Sequence, residues 1–129
     1  MNTKISNAII LIDMAFRFEE LNVWHKAVDA SNEIDLITKN FPVEERYSLS
    51  SQLKKAADFV VLNIAEGSTG QTIPVFKQFL NIALRSAIEV VAGLFLAKKR
   101  NYIAENLFRK LYEDYELLSK MITKLRNSL

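Results

Sequence analysis

Cysteine is absent from this chain, and turn residues are scarce: three Gly and two Pro in 129 residues. Without Cys there is no disulfide framework and no thiolate metal site. With so few Gly and Pro, the many tight turns of a sandwich or barrel have nothing to build them. Long uninterrupted helices fit instead. His25 is the only histidine. No Glu-x-x-His pair of the di-iron bundle type occurs, and no His-Glu-x-x-His pattern for zinc. No serine sits in a nucleophile-elbow context, and no Arg stands a few residues before the His. These absences argue against an enzyme and leave no catalytic residue, metal ligand or cofactor to assign. A strong charge of one sign is missing too. Seventeen basic residues face 15 acidic ones, a net +2. That is a mixed surface, without the basic excess of a protein held on nucleic acid by bulk charge. No run approaches the roughly 20 apolar residues of a membrane span. The apolar run 8–12 after Lys4 is short, ends at Asp13 and has no small-residue cleavage site, so no signal peptide is read there. A reducing cytoplasm is the default compartment.

What is present is helical periodicity. Half of the residues are hydrophobic, enough for one core in one domain. Residues 1–17 lack the grammar of the rest and are read as an N-terminal extension, either a frayed terminus or an arm that docks on a neighbouring subunit. Residues 18–129 form the domain. A first helix is predicted over 22–39, capped by Asn22, with Val23, Trp24, Ala27, Val28, Ser31, Ile34 and Ile37 on one stripe. Phe41-Pro42 stops it, and 42–46 reads as a single helical turn with Pro42 in its first position. A second helix over 48–67 carries Leu49, Leu53, Ala56, Ala57, Val60, Val61 and Ile64, and Lys54–Asp58 is expected as an i,i+4 ion pair. Gly67 is expected in the left-handed position that closes it. After the loop 68–72, a third helix over 73–100 has Pro74 in its first turn and is apolar on more than one side. A helix of that kind is buried on several faces, which predicts a subunit interface as well as a core. A fourth helix over 102–128, capped by Asn101, steps through Ile103, Leu107, Leu111, Tyr115, Leu118, Ile122 and Leu125, with Arg109–Glu113 and Lys110–Asp114 as ion pairs. Short connections force neighbours antiparallel. The expected fold is all-α, an up-down-up-down four-helix bundle.

Two sets of residues are candidate sites. Asn63, Glu66 and Gly67 close the second helix. Glu66 sits in the last turn, where the helix dipole disfavours an anion. It is expected to accept hydrogen bonds from the 68–73 loop as a structural clasp, while Asn63 hydrogen-bonds across helices. The second set is basic: Lys54 and Lys55; Lys98, Lys99 and Arg100; Arg109 and Lys110. Their plain reading is dipole compensation and pairing with acids. Their functional reading is an electrostatic footprint for RNA or DNA, which an oligomer would multiply into a ring.

The motifs also resemble a family. Phe18-Glu19-x-Leu21-x-Val23-Trp24-x-Lys26-Ala27 opens the match. Phe41-Pro42-x-Glu44-Glu45-x-Tyr47-x-Leu49-x-Ser51-Gln52 follows, then Asn63-Ile64-Ala65-Glu66-Gly67, Phe76-x-x-Phe79-Leu80-x-Ile82-Ala83 and Tyr102-Ile103. Together these resemble the bacterial four-helix bundle proteins encoded in intervening sequences of 23S ribosomal RNA genes, from about Phe18 to the C-terminus. The resemblance implies a barrel-like subunit that assembles into a homopentamer. The chain is also similar to the accessory protein of diversity-generating retroelements, a pentamer that binds nucleic acid and a reverse transcriptase. The resemblance carries over no catalytic residue. In the family the loop after Gly67 is basic; here it is Ser68-Thr69-Gly70-Gln71. Arg85 stands where a glycine is common, placed to restore charge near that loop or to pair with Glu66 or Glu89.

Overall fold

A computed structural model describes residues 16–69 and 72–129. Four helices follow a short 3-10 turn, Arg17–Glu20. They are α1 (Asn22–Thr38), α2 (Leu49–Gly67), α3 (Ile73–Lys99) and α4 (Glu105–Ser128), with a second 3-10 turn, Val43–Glu45, between α1 and α2. Contacts join α1 to α2, α2 to α3, α3 to α4, and α1 back to α4. That closed order is the antiparallel up-down-up-down four-helix bundle. Of the N-terminal extension, only Phe16 and Arg17 fall among the described residues. Phe16 stacks on Phe18, and Phe18 packs on Trp24 at 4.6 Å between ring centres.

The core follows the helical stripes. Ile34, Leu53, Val60, Ile64, Leu80, Val90, Leu94, Leu111, Tyr115, Leu118 and Ile122 are fully buried. Each predicted stripe supplies its share because burial selects one side of a 3.6-residue period. α2 and α3 touch most extensively. Both bury small residues, Ala56 and Ala57 on α2 and Ala83, Ala87 and Ala97 on α3, and Gly93 of α3 faces Leu53 of α2.

The helix ends differ from expectation in four places. Asn22 does not cap α1. It is the first helical residue, and Leu21 stands in the capping position with no side-chain acceptor. Pro42 is extended (φ −54°, ψ 146°) and precedes its turn rather than opening it. Asn101 does not cap α4, which begins three residues later than predicted, after an extended Ala104. Asn101 instead takes the left-handed conformation, φ 62°, and closes α3. The Tyr102 amide donates to the Ala97 carbonyl at 2.9 Å and the Asn101 amide to the Lys98 carbonyl at 3.0 Å. That is the paired closure of a Schellman motif, with Asn in the place usually held by Gly. Tyr102 and Ile103 then fold back onto the core, Tyr102 against the Phe41 ring.

Gly67 is the fourth correction. It remains inside α2, buried, and does not turn left-handed. A Cβ there would lie 2.7 Å from the Phe79 Cβ and 2.9 Å from Phe76 Cδ1. Glycine is needed for the close approach of α3. Ser68 and Thr69 close the helix, the Ser68 amide reaching the Ile64 and Ala65 carbonyls. The start of α3 holds a cap that the sequence reading missed: Thr72 Oγ1 accepts from the Val75 amide at 3.3 Å. α3 also corrects the membrane expectation. By length and composition it is apolar enough to cross a bilayer. In the bundle it instead buries one face on α2 and α4.

Gly67→Ala is expected to lower unfolding stability by roughly 1–3 kcal/mol, since a Cβ of Phe79 cannot move without its helix. Gly93→Ala should cost less. Its new Cβ meets the branched end of Leu53 at 2.6 Å, and Ala gains up to about 1 kcal/mol over Gly in a helix interior. Urea unfolding midpoints of the two variants give the order directly.

Candidate functional site

The Asn63–Gly67 corner is structural in what it touches. The Asn63 side-chain amide donates to the Phe59 carbonyl, 2.8 Å away in its own helix, and not across helices. Among the described residues the Glu66 carboxylate takes no hydrogen bond and no ion pair, and its side chain is exposed. The expected clasp to the 68–73 loop is not formed with Ser68, Thr69, Thr72 or Ile73, and Gly70 and Gln71 lie outside the described residues. Arg85 is likewise exposed, with neither Glu66 nor Glu89 as a partner among the described residues.

A carboxylate clasp does exist at the opposite end, on Glu45. One of its oxygens accepts from the Ser48 hydroxyl and, at 3.5 Å, from the Leu49 amide that begins α2. The other accepts from the Tyr102 hydroxyl at 2.8 Å and the Arg100 guanidinium at 3.0 Å. Glu45 therefore ties the α1–α2 connection to the α3–α4 connection. Hydrogen bonds from Ser48 and then Tyr102 stabilise its anion and hold its carboxyl below the ordinary carboxylate range. The same bond raises the Tyr102 hydroxyl. The local signal was present, a Glu three residues before Ser48, but its partners Arg100 and Tyr102 lie more than fifty residues away.

Most of the basic candidates are already paired. Lys98 sits 2.8 Å from Glu105 and over the Phe108 ring at 4.5 Å. Arg109 reaches the same Glu105 at 3.1 Å rather than the expected Glu113. Glu105 opens α4, where the helix dipole favours an anion, so it collects both cations. Its carboxyl is lowered by the Lys98 hydrogen bond first. Lys110 pairs with Asp114 at 3.0 Å, as expected. Arg100 is taken by Glu45. Lys54 pairs with Asp35 of α1 at 3.4 Å, not with Asp58. The Asp58 carboxylate instead accepts from the buried Ser31 hydroxyl at 2.7 Å. Lys39 shares Asp35 with Lys54. Burial pushes the Asp35 carboxyl up, and the two lysines outweigh it and leave it lowered. Lys55 lies over the Phe59 ring.

Four of these cations line two hollows. Lys98 and Lys99, with Phe95, Leu96 and Asn101, line a hollow of about 630 Å³ at the end of α3. Lys54 and Lys55 line a groove of about 850 Å³ where the end of α1, the connection after it and the start of α2 converge. That groove adds Lys39, Arg46 and Tyr47, which sequence reasoning did not select. A third hollow of about 380 Å³ runs between α3 and α4, bounded by Ile88, Val91, Ala92, Phe95 and Tyr112. Tyr115 closes its floor. Burial pushes the Tyr115 hydroxyl well up, and no described residue hydrogen-bonds it. His25 is exposed, its Nε2 against the Glu19 carbonyl. Among the described residues no three His, Asp or Glu side chains come together as a metal site.

Comparison with known proteins agrees with this architecture. The family described as 23S rRNA-intervening sequence protein matches residues 19–124. A solved structure, a protein with unknown function from the S23 ribosomal protein family of Bacteroides thetaiotaomicron VPI-5482, superposes with a TM-score of 0.75. It is 23% identical, and the match covers 81% of this chain and 97% of that one. At that identity the likeness is one of fold. No curated protein matches the chain.

The Glu45 clasp makes stability pH-dependent in a defined direction. A carboxyl lowered in the folded state stabilises fully above its unfolded value of about 4.3 and loses that contribution as pH falls through the folded value. Glu45→Gln is expected to melt at a lower temperature than the parent at neutral pH. The gap should close on acidification below about pH 4. Thermal melts across that range test it; a gap that stays constant rejects the clasp.

Proposed function

The chain belongs to the 23S rRNA-intervening sequence protein family, and from that premise we propose that it is a non-enzymatic, cytoplasmic subunit of a closed homo-oligomeric ring that associates with nucleic acid. One observation carries the assembly: α3 keeps large apolar side chains on its outer face after its core face is filled. Ile88 is 59% and Phe95 51% exposed, and Leu96 is exposed beside them. Ile88, Ala92 and Phe95 fall on one row of the helix, so the surface is continuous along it. A second apolar surface lies on another helix, where Phe59 and Leu62 of α2 are exposed. Two different patches per subunit suit a heterologous contact, which closes into a ring when its rotation divides a full turn. Five subunits is the number that the family resemblance implies.

The nucleic-acid part has support from the grouping of cations around one groove. A second reading, a protein-binding scaffold with no nucleic-acid role, is favoured by a specific observation. Of the seven basic residues picked from sequence, Lys54, Lys98, Arg100, Arg109 and Lys110 are in ion pairs. Binding to RNA or duplex DNA that weakens with salt separates the two readings.

The assembly is tested by its mass in solution. Light scattering is expected to give close to five times the 14.8 kDa chain. Ile88→Glu and Leu62→Glu, one on each patch, should each reduce it to smaller species while leaving the helical circular dichroism unchanged. A parent protein that stays monomeric would falsify this account of α3.

A further inference from the structure

We propose that the groove between the end of α1 and the start of α2 is a single-stranded nucleic-acid site, with phosphates on Arg46, Lys54 and Lys55 and a base stacked on Tyr47. The inference rests on the nucleic-acid part of the function proposed above and gives it a place. Residues 98–110 had been the denser basic cluster in the sequence, but folding neutralises most of it internally. The α1–α2 groove keeps two cations, Arg46 and Lys55, in no ion pair among the described residues.

Four cations line it: Lys39, Arg46, Lys54 and Lys55. One carboxylate lines it with them, Asp58, which accepts from the Ser31 hydroxyl and keeps its negative charge. Asp35 stands behind Lys39 and Lys54 and answers only one of those two charges. Arg46 and Lys55 have no carboxylate partner among the described residues. A concave wall with an excess of one sign focuses field and gathers counter-ions, and a chain of phosphates replaces several of them at once. The hydroxyls of Ser50 and Ser51 lie on the same wall, as donors of the kind that meet phosphate oxygens.

Tyr47 decides the class of polyanion. Its side chain is 89% exposed, at the rim of the groove, one residue from Arg46. The ring buries almost nothing, so packing gives no reason for it there. Single-strand binding sites combine a cationic track with an aromatic face on which a base stacks, and they tolerate any sequence because every base has a π-face. Exposed Val43 on the same rim widens that apolar platform. Duplex presents no unstacked base to such a ring. The volume, about 850 Å³, suits a few nucleotides and not a helix in its groove.

The test is fluorescence anisotropy with a labelled oligo(U) of roughly 12 nucleotides, in the range of single-strand site sizes, at low and at physiological salt. The full-length parent is expected to bind, with affinity falling as salt rises. Tyr47→Ala should weaken binding roughly 10-fold, the scale of one lost base stack. The double variant Arg46→Glu/Lys55→Glu should abolish it. Lys120→Glu/Lys124→Glu on exposed α4 positions, with the same change in net charge, should leave binding within about 3-fold, since charge at a distance is screened. Circular dichroism verifies that each variant is folded. No binding by the parent at low salt would overturn the nucleic-acid reading and the groove with it. Equal losses in the two double variants would leave that reading standing and overturn the groove, because bulk charge would then explain both. If Tyr47→Ala has no effect while Arg46→Glu/Lys55→Glu abolishes binding, and a polyglutamate peptide competes equally, the groove takes acidic protein and the nucleic-acid assignment of the site is overturned.

Discussion

The close approach of α2 and α3 is the constraint on which the bundle depends. At one end, Gly67 leaves room that the Phe79 Cβ would otherwise contest, and toward the other end Gly93 does the same for Leu53. Between these points both helices bury alanines, Ala57 on α2 and Ala83 and Ala87 on α3 among them. Small side chains let two backbones come near over several turns, and each turn then adds dispersion contacts that a wider spacing would forfeit. Of the three glycines, two are used for this approach and neither for a left-handed turn. Scarcity of glycine in the sequence is thus no sign that the remaining ones are free to vary. With α2 and α3 fixed, the sides of the pair offer one apolar edge to α1 and one to α4. The ring order of contacts follows.

The two ends of the bundle are held by different physics. At the Gly67 end the restraint is steric. At the other end the restraint is polar: Glu45 receives four donors from two parts of the chain, 48–49 and 100–102. A half-buried carboxylate that satisfies both oxygens is costly to disrupt, because each donor would be left without its partner. The polar end is also where the chain reverses through a left-handed Asn101. The Arg100 and Tyr102 on either side of that residue both reach Glu45, so the closure of α3 and the start of α2 stabilise each other.

The helices, their order and most of the core were legible because burial imposes a period on the sequence, and the period is local. Ile34, Val60 and Leu118 could be placed inward from their neighbours alone; on α3, apolar on more than one side, the inward face could not. Partner choice was not legible. Lys54 had Asp58 one turn away, yet Asp35 of α1 took it and Ser31 took Asp58. Arg109 had carboxylates a turn away on either side and paired with the one at the helix start. Sequence distance ranks such partners; the angle between two packed helices decides them. The terminators failed for a related reason. Gly and Asn both tolerate left-handed backbone, and only the path of the chain determines which of them uses it. For the groove, Lys39, Arg46 and Tyr47 were ordinary surface residues until α1 and α2 placed them around one hollow.

The outer face of α3 poses an energetic question that the single chain does not answer. A bundle helix needs one apolar stripe, and α3 fills that stripe with Leu80, Ala83, Ala87, Val90 and Leu94. Ile88 and Phe95 then add nothing to the core beyond the edge contacts of Phe95 with Phe108 and Tyr112. Scattered apolar side chains on a surface need no explanation. A continuous row beside a hollow lined by Tyr112 is different, because it exposes a contiguous patch in a chain of small net charge. Water disfavours that surface, and a low net charge gives little repulsion between copies to offset the attraction. The same balance leaves the cationic groove as a local exception. Charge concentrated in one place on a nearly neutral chain attracts an opposite charge without keeping like subunits apart. The outer face of α3 and the cationic groove between α1 and α2 are therefore compatible on one small subunit, while the second apolar patch, Phe59 and Leu62, shares α2 with Lys54 and Lys55 of the groove.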